Sequence, residues 1–313
     1  MATNAIGAWC SLLLALLAAT PAAADLLTIP VTKDVYALVG EKAQRSPENL
    51  ANNATFGVVV TEDGAVLIDP GGSWKGAQQI HEAVRSLTDK PVRVVLNTGG
   101  QDHRWLGNGY WLEQGARIIA SNAAVEDQHE RASMQLTFLS QLMGEALDGT
   151  EPVFATETFE ESLTFDLGGV TFEMVHPGPA HTPGDSYVIL PEQRIMFTGD
   201  IVYTERILGV TEVSHTGSWI DAFEAMAARD PQHVVPGHGA PTTLERATAD
   251  TYDYLVNLRA RMREHIDAGG DMIGAVEIDQ SAFRRLEQFD ALAQFDALAR
   301  RNAQQAFAEM EWE

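Results

Sequence analysis

The chain has 313 residues, with 44 Asp and Glu against 21 Lys and Arg, which gives a formal net charge of −23. This charge repels nucleic acid and anionic lipid surfaces, so we expect neither as a partner. The single cysteine, Cys10, excludes a disulfide framework and a cysteine-based zinc finger. Hydrophobic residues make up 45% of the chain and charged residues 21%, which suits a folded globular protein.

The first 24 residues predict a secretory signal peptide. They contain no Lys, Arg, Asp or Glu, an apolar run over residues 6–19, and small residues at Ala22 and Ala24 that suit a signal peptidase. We expect cleavage before Asp25 and a periplasmic or secreted mature protein. No later stretch is long and apolar enough to span a bilayer, so no membrane partner is expected after cleavage. A retained anchor helix is the alternative.

The next two thirds of the chain contain the same pattern twice, a hairpin followed by a helix and a short apolar strand. In chain order the predicted elements are the hairpin of residues 56–60 and 65–68, the helix 74–86, the strand 92–96, the hairpin of residues 186–190 and 194–197, the helix 218–228, and the strand 233–235. The pattern predicts two related halves. Stacked as two sheets with helices outside, they would bring their polar strand ends to one rim.

The chain from residue 248 onward is predicted to be helical. Apolar residues recur at helical spacing over residues 251–265, and Gly269 and Gly270 end that helix. A second helix is predicted from about residue 281. We expect residues 248–313 to pack on a domain formed by residues 25–247, with an oligomer contact as the alternative role.

Three polar residues near the predicted strand ends suggest a metal site. Asp200 ends a strand that the pattern predicts to be buried, His181 lies in a loop rich in Gly and Pro, and His238 lies between two glycines. A buried carboxylate needs a cation or hydrogen bonds, and zinc takes imidazole and carboxylate ligands when thiolate is absent. Singly, such residues are more often caps or solvated side chains. Together they indicate a metal cluster.

The strings around these residues, HTPGD, TGD and PGHG in that order, resemble those of the metallo-β-lactamase superfamily of metal-dependent hydrolases. The resemblance runs from about Thr32 to the end of the chain. It is closest to an exported branch associated with periplasmic quinoprotein and sulfur-oxidation systems. It implies an α/β fold, a four-layer αββα sandwich extended here by C-terminal helices, and a site with two zinc ions. By motif match, His181 is implied as a ligand of the first metal, Asp200 as the bridging carboxylate and His238 as a ligand of the second.

The signature loop departs from the family pattern HxHxDH. Counted without gaps, the four ligand positions hold Gly99, Gln101, His103 and Arg104. With a one-residue slip, Asp102 and His103 become the Asp-His pair. Either register lacks the His-x-His pair that builds the first metal position.

The register decides which site remains. In the slipped register one metal ion is held by four residues, Asp102, His103, Asp200 and His238. His181 then lies beside an empty first position. In the ungapped register Arg104 projects toward the second position and pairs with Asp200, which leaves a metal-free protein or an anion pocket. A two-metal site completed from elsewhere in the chain is a third alternative.

We therefore predict an exported metal-dependent hydrolase that acts on a small molecule through a hydroxide bound to one metal ion. Asp200 would orient the water, and the substrate oxyanion would be stabilised by Arg104, by His181 or by the backbone amides of Gly99 and Gly100. Zinc is the expected ion, with iron or manganese as alternatives, and no ion is expected if Arg104 fills the site. Two other functions stay open. One is a non-catalytic, metal-free binding or accessory protein that partners periplasmic redox-pathway proteins, and the other is a β-lactamase.

Overall fold

The computed structural model describes residues 25–286 and 292–313. The predicted signal peptide, residues 1–24, lies outside the described residues, as do residues 287–291 of the second predicted tail helix. Among the helices of the described ranges, none combines the length and apolar character needed to cross a bilayer.

The strands of the described ranges form two sheets. The strands of the first sheet are β1 (Leu27–Thr32), β2 (Val35–Val39), β3 (Thr55–Val60), β4 (Ala65–Ile68), β5 (Val92–Asn97), β6 (Arg117–Ser121) and β7 (Glu157–Phe159). The strands of the second sheet are β8 (Ser162–Leu167), β9 (Val170–Val175), β10 (Tyr187–Leu190), β11 (Ile195–Phe197) and β12 (His233–Val235). Both sheets keep neighbouring strands in chain order, and β4 to β7 and β11 with β12 are the parallel pairs.

The α-helices flank the sheets, and those that follow the last strand form a C-terminal extension. They are α1 (Trp74–Leu87), α2 (Asn108–Glu113), α3 (Asn122–Met143), α4 (Thr216–Ala227), α5 (Leu244–Ala247), α6 (Asp253–Asp267), α7 (Met272–Ala275) and α8 (Leu292–Met310). Short 3-10 turns follow β5 and β11 and carry site residues.

Buried side chains on both faces of the first sheet explain the layering. On β5, Val94 and Leu96 face the interior between the two sheets. Val95 faces the other way and packs in the cluster that includes Ile80 and Val84 of α1. Because α1 repeats its apolar residues at helical spacing, one side of this helix covers the sheet and the other faces solvent. A strand segment that is buried on both faces reads as a continuous apolar run, as residues 94–96 of this strand do.

Helices α4, α6 and α8 cover the outer face of the second sheet. Trp219 of α4, Leu258 of α6 and Phe307 of α8 pack in one cluster with Met196 and Val234 of the sheet. The order of layers is therefore helix, seven-stranded sheet, five-stranded sheet, helix. This architecture confirms the predicted α/β fold, a four-layer αββα sandwich with a C-terminal helical extension.

The predicted repeat corresponds to β3–β4–α1–β5 and β10–β11–α4–β12, and α6 ends two residues before Gly269. The second tail helix differs from its prediction. Residues Ser281–Leu286 form a 3-10 segment, and α8 begins at Leu292. Phe283 and Leu286, three residues apart, are both buried in the helical cluster. A 3-10 turn repeats every three residues, so it places both side chains on the same side.

Candidate metal centre

The carboxyl ends of four strands meet at one edge of the sandwich. Asp69 follows β4 in a left-handed conformation, with φ +67°, and its carboxylate accepts hydrogen bonds from the amide and hydroxyl of Thr98 after β5. Asp200 lies in the 3-10 turn after β11, and His238 follows β12. A strained backbone at such a point persists because the hydrogen bonds around it hold it in place.

Arg104, in the 3-10 turn Asp102–Arg104 after β5, lies at the centre of this edge and is fully buried. Its Nε and Nη2 atoms donate to the two carboxylate oxygens of Asp200 at 3.1 and 2.8 Å. Its Nη1 donates to Asp69 Oδ2 at 2.8 Å and to the carbonyl of Thr55, and Nη2 also donates to the carbonyl of Gly237. Five acceptors thus match the five N–H donors of the guanidinium.

The ion pair of Arg104 with Asp200 is the one described for the ungapped register. Its close packing needs Gly237, because a Cβ atom there would lie 2.2 Å from the carbonyl oxygen of Gly199 and 2.6 Å from Arg104 Nη2. Burial alone would raise the pKa of Asp200, but the Arg104 guanidinium and the imidazole of His103 hold that pKa well below its usual range. Asp200 is therefore a carboxylate at neutral pH.

His103, Asp200 and His238 form a buried group whose ligand atoms lie within 4.8 Å of one another. His103 Nε2 is 3.4 Å from Asp200 Oδ2, and His238 Nε2 is 3.1 Å from Asp200 Oδ1. The two imidazole rings are 5.0 Å apart between centroids. This spacing suits two Nε2 atoms that bind one ion at about 2.0–2.1 Å each.

Each imidazole has an acceptor next to its Nδ1 atom. His103 Nδ1 is 3.1 Å from Asp102 Oδ1, and His238 Nδ1 is 3.0 Å from the carbonyl oxygen of Asn53. When Nδ1 donates to these acceptors, the Nε2 lone pairs point toward Asp200. His103 Nε2 is a buried atom with no hydrogen-bond partner. Burial and then the Arg206 charge lower the pKa of His238 well below its usual value, so this ring is neutral, as a metal ligand must be.

Asp102 is not part of the three-residue group, although the slipped register assigned it as a ligand. Its Oδ1 atom accepts hydrogen bonds from Arg45 Nη2 at 2.5 Å and from the His103 amide at 2.8 Å. The 3-10 turn directs this carboxylate toward the loop before β3 that carries Arg45, away from Asp200. Burial would raise the pKa of Asp102, but Arg45 and His103 lower it.

His181 also lies outside the group. Its Nδ1 atom is 3.0 Å from the carbonyl oxygen of Gly209, and its ring contacts Tyr203 and Trp219. Burial lowers the pKa of His181 to about 4, so the ring is neutral at pH 7. The residue still faces the same pocket as His103 and His238.

The two positions of the missing His-x-His pair hold residues that bind no metal. A Cβ atom at Gly99 would lie 2.4 Å from Asp185 Oδ1, so Asp185 occupies the space that a side chain would need. Burial, and then the Asp200 charge, raise the pKa of Asp185 to about 8. Gln101 directs its amide toward Asp102 Oδ1, at 3.4 Å. Within the described ranges, the only cluster suited to a metal is the one at His103, Asp200 and His238.

Three residues of the site were not predicted from the sequence. Asp69 follows an apolar strand just as Asp200 does, so its position in the sequence could have marked it as a site residue. Arg45 and Arg206 lie on irregular loops, and no spacing or motif marks them; in the structure Arg206 Nη1 is 3.2 Å from His238 Nδ1. Loop residues of this kind reach a site only through the tertiary fold.

A pocket of about 490 Å³ opens beside the three-residue group. Its inner end is formed by His103, His181 and His238, and its walls by residues of α3 and α8 and of the loops that carry Arg45 and Arg206. A concave site of this size next to a buried group of imidazoles and a carboxylate is the expected place for a small-molecule substrate.

The chain is similar to known proteins in both sequence and fold. The family model described as metallo-beta-lactamase superfamily matches residues 51–238. The 2,4-dinitroanisole O-demethylase subunit alpha of Nocardioides sp. (strain JS1661) is 24% identical over 230 residues, 72% of this chain and 65% of that protein. Hydroxyacylglutathione hydrolase GloC of Haemophilus influenzae is 29% identical over 192 residues, 58% of this chain and 84% of that protein.

Among solved structures, a metallo-beta-lactamase from Pontibacter korlensis superposes with a TM-score of 0.62 at 23% identity. The alignment covers 74% of this chain and 100% of that one. The similarity in structure supports the αββα fold, and the family model covers more than half of the sequence. The chain therefore belongs to the metallo-beta-lactamase superfamily, whose members are metal-dependent hydrolases.

Proposed function

We propose that this protein is a hydrolase that holds one divalent metal ion between His103, Asp200 and His238. The observation that carries the proposal is the buried Nε2 atom of His103, which has no hydrogen-bond partner and faces a carboxylate. Two imidazole lone pairs next to a carboxylate repel one another unless a cation lies between them. A buried polar atom that is left unpaired costs free energy, and a metal ion removes that cost.

Zinc is the ion that we propose, because two imidazoles and one carboxylate form an established set of three ligands for catalytic zinc. Iron and manganese take the same ligands and are the alternatives. An ion in this site supplies Lewis acidity. We propose one ion and not two, because Gly99 and Gln101 stand where the family has its His-x-His pair.

The residues of the chain around the group have distinct tasks in this proposal. Asp102 accepts the Nδ1 hydrogen of His103 and so fixes the tautomer whose Nε2 atom is a ligand. The carbonyl of Asn53 does the same for His238. Arg104 holds both oxygens of Asp200 and fixes the carboxylate plane. Because Arg104 is fully buried behind Asp200, it positions this residue and does not itself contact the substrate.

The test is metal content and hydrolysis measured on the same protein, purified without a His tag. We expect about one equivalent of zinc, iron or manganese by mass spectrometry, and hydrolysis of at least one member of a panel of esters, thioesters and lactams. His238→Ala should lose both. His233→Ala, on β12 five residues earlier, is the matched control and should keep both. Less than about a tenth of an equivalent in the unchanged protein would refute the proposal.

A second candidate function, a metal-free binding or accessory protein, is favoured by the contacts of Arg104. The two bonds from Arg104 already neutralise Asp200. Arg45 Nη2 lies 3.0 Å from His103 Nδ1, and Arg206 Nη1 lies 3.2 Å from His238 Nδ1. If these guanidinium groups donate to Nδ1, both Nε2 atoms carry hydrogens and face Asp200 as donors. The metal content of the purified protein distinguishes the two functions, since this tautomer leaves no Nε2 lone pair for an ion.

The export and finer classification of the protein are proposals that rest on the sequence. We propose that residues 1–24 are a signal peptide, that the mature protein is periplasmic or secreted, and that it belongs to the exported branch linked to quinoprotein and sulfur-oxidation systems. The domain of residues 25–247 with the helices of 248–313 would then act alongside periplasmic redox-pathway proteins. N-terminal sequencing of the protein from a periplasmic fraction should begin at Asp25. A start at residue 1 or 2 would contradict this.

A further inference from the structure

The described side chains that line the pocket beside the three-residue group include more cationic than acidic groups, whereas the whole chain is acidic. The chain has a formal net charge of −23. Of the residues that the structure describes, four arginines, Arg45, Arg131, Arg206 and Arg301, and two acidic residues, Asp102 and Glu212, line the pocket. Cations concentrated in a cleft of an acidic protein focus a positive potential there and attract small anions.

The four arginines are not equivalent. Arg45 and Arg131 form short ion pairs with buried carboxylates, those of Asp102 and Asp127. Arg206 lies at the inner end of the pocket, 8% exposed and next to His238. Arg301 lies at the outer end on α8, and it is about half exposed.

The only acidic group paired with Arg301 among the described ion pairs is Glu212, at 3.9 Å and 60% exposed. Solvent weakens an ion pair at this distance and exposure. The charge of Arg301 is therefore only weakly compensated by Glu212, and the guanidinium can pair with an anionic ligand in the pocket. Its neighbour Arg300 faces away from the pocket and pairs with Glu277 at 3.0 Å, so the two residues form a matched pair for a test.

The wall next to the arginines is apolar. Met134 and Phe138 follow each other at i and i+4 on α3, are 51% and 46% exposed, and line the pocket together with Leu298 of α8. Residues four apart on a helix form one continuous surface, so these two side chains make a shared apolar strip. Large apolar side chains that line a pocket with convergent charged groups indicate a ligand with both characters.

Part of this pocket lies outside the segment that the family model matches. Arg45 precedes residue 51, and Leu298 and Arg301 follow residue 238. The imidazole and carboxylate group thus comes from the shared part of the superfamily, and α8, a C-terminal element of this chain, supplies one wall. Substrate choice on a common scaffold is set by the residues of the individual site, so the side chains contributed from outside the matched segment are candidates for that role.

We propose that the substrate of this site is an organic anion with an apolar portion, in which Arg301 contacts the anionic group and the strip of Met134 and Phe138 contacts the apolar portion. The inference rests on the proposed function for the hydrolytic step, but binding of such an anion does not require the metal ion. The pocket of about 490 Å³ has room for a chain of roughly ten carbons with its head group.

The test is calorimetric titration with four probes that the protein cannot hydrolyse. Decanoate and decanesulfonate carry a carboxylate and a sulfonate on the same chain, decyltrimethylammonium carries a cation, and butyrate lacks the long apolar portion. We expect decanoate or decanesulfonate to bind at least about tenfold more tightly than the cation and butyrate. The stronger of the two anions then shows which anionic group the pocket selects.

Variants assign the binding to this pocket. Arg301→Gln should weaken binding of the better anion about tenfold, and Arg300→Gln should change it less than about twofold. Phe138→Ala should weaken it about threefold to tenfold, against no change for Val256→Ala, an exposed residue of α6 outside the pocket. The inference is overturned if the cationic probe binds as well as the anions, or if Arg301→Gln and Arg300→Gln behave alike.

Each titration is run on the metal-loaded protein and on the protein treated with a chelator. Anion binding without metal uptake would refute the proposed function and leave this inference standing. Metal uptake and hydrolysis without preferential anion binding would refute this inference and leave the proposed function standing.

Discussion

Arg104 and Asp200 are joined by two hydrogen bonds, of 3.1 and 2.8 Å, and neither side chain is exposed to solvent. The oxygens of the same carboxylate lie 3.4 Å from His103 Nε2 and 3.1 Å from His238 Nε2. Asp200 therefore faces a fixed cation on one side and a pair of imidazoles on the other. An ion bound by the imidazoles would share this carboxylate with Arg104, which weakens but does not abolish the attraction for a second cation.

Removal of the Arg104 charge should destabilise the protein strongly. Arg104→Met leaves Asp69 and Asp200 buried without their cation, and breaking one partner of a buried ion pair costs about 3–5 kcal/mol in the free energy of unfolding. Arg117→Met, which removes an exposed pair with Glu157, should cost less than about 1 kcal/mol. Urea denaturation followed by far-ultraviolet circular dichroism measures both. A loss under about 1 kcal/mol for Arg104→Met would contradict this account.

Asp102 should affect the strength of metal binding and not its stoichiometry. Asp102→Asn removes the charge that orients His103 and keeps all three ligands, and loss of such a supporting carboxylate lowers metal affinity by about 10–100-fold. Competition with a chromophoric chelator measures the affinity. Asp127→Asn is the matched control, because Asp127 is also buried and paired with an arginine, Arg131, but lies outside the metal group. It should leave the affinity within about threefold of the original protein.

A fall to no bound metal in Asp102→Asn, with the protein still folded, would mean that Asp102 is itself a ligand, as the slipped register supposed. Equal affinities for Asp102→Asn and Asp127→Asn would mean that His103 needs no orienting carboxylate.

The elements that could be predicted are those with local signals. The hairpin of β3 and β4 has an apolar run on each side of an Asp-Gly turn, and β12 precedes the two glycines that flank His238. Asp200 and His238 could be singled out because each ends a buried strand, where a polar group needs a partner. The distance between them depends on how the two sheets stack, but the repeat of the same pattern in both halves was enough to predict that they meet.

The contacts of Arg104 and Arg45 could not be predicted in this way. Arg104 contacts Thr55, 49 residues earlier, and Gly237, 133 residues later, and no local pattern reports such pairs. The register of the signature loop was ambiguous because two adjacent pairs can be aligned with the last two ligand positions of the family pattern. These positions hold His103 and Arg104 without a gap, and Asp102 and His103 after a shift of one residue. Arg45, 57 residues before Asp102, decides the direction of that carboxylate through an ion pair that the sequence does not reveal.

Restoring the His-x-His pair should not restore a second metal ion. The double variant Gly99→His with Gln101→His supplies both missing ligand types, but a side chain at position 99 must displace the buried carboxylate of Asp185 from its bonds to Thr182. Overpacking of this kind costs about 1–3 kcal/mol in the free energy of unfolding. Gln101→His alone should be tolerated, because this side chain is only partly buried. Metal stoichiometry by mass spectrometry should stay at or below one equivalent, and two equivalents in the double variant would contradict the prediction.

His181 should make the protein less stable as the pH falls from 7 to 5. Burial lowers the pKa of His181 to about 4 in the folded state, against about 6.5 in the unfolded chain, so the unfolded state binds this proton first. The contribution is complete above about pH 6.5, and it is lost progressively as the pH falls toward 4. By pH 5 the loss from this group is about 2 kcal/mol.

His181→Asn keeps a donor near the carbonyl of Gly209 and removes the titrating ring. Its free energy of unfolding should therefore fall by about 2 kcal/mol less than that of the unchanged protein between pH 7 and pH 5. Urea denaturation in the presence of a chelator measures both proteins, so that proton competition for metal ligands does not contribute. Between pH 7 and pH 8 the folded and unfolded states both hold this ring neutral, and the two proteins should show parallel stability. Parallel curves down to pH 5 would instead mean that His181 becomes protonated in the folded protein as easily as in the unfolded chain, and that its ring is not isolated from solvent by Tyr203 and Trp219.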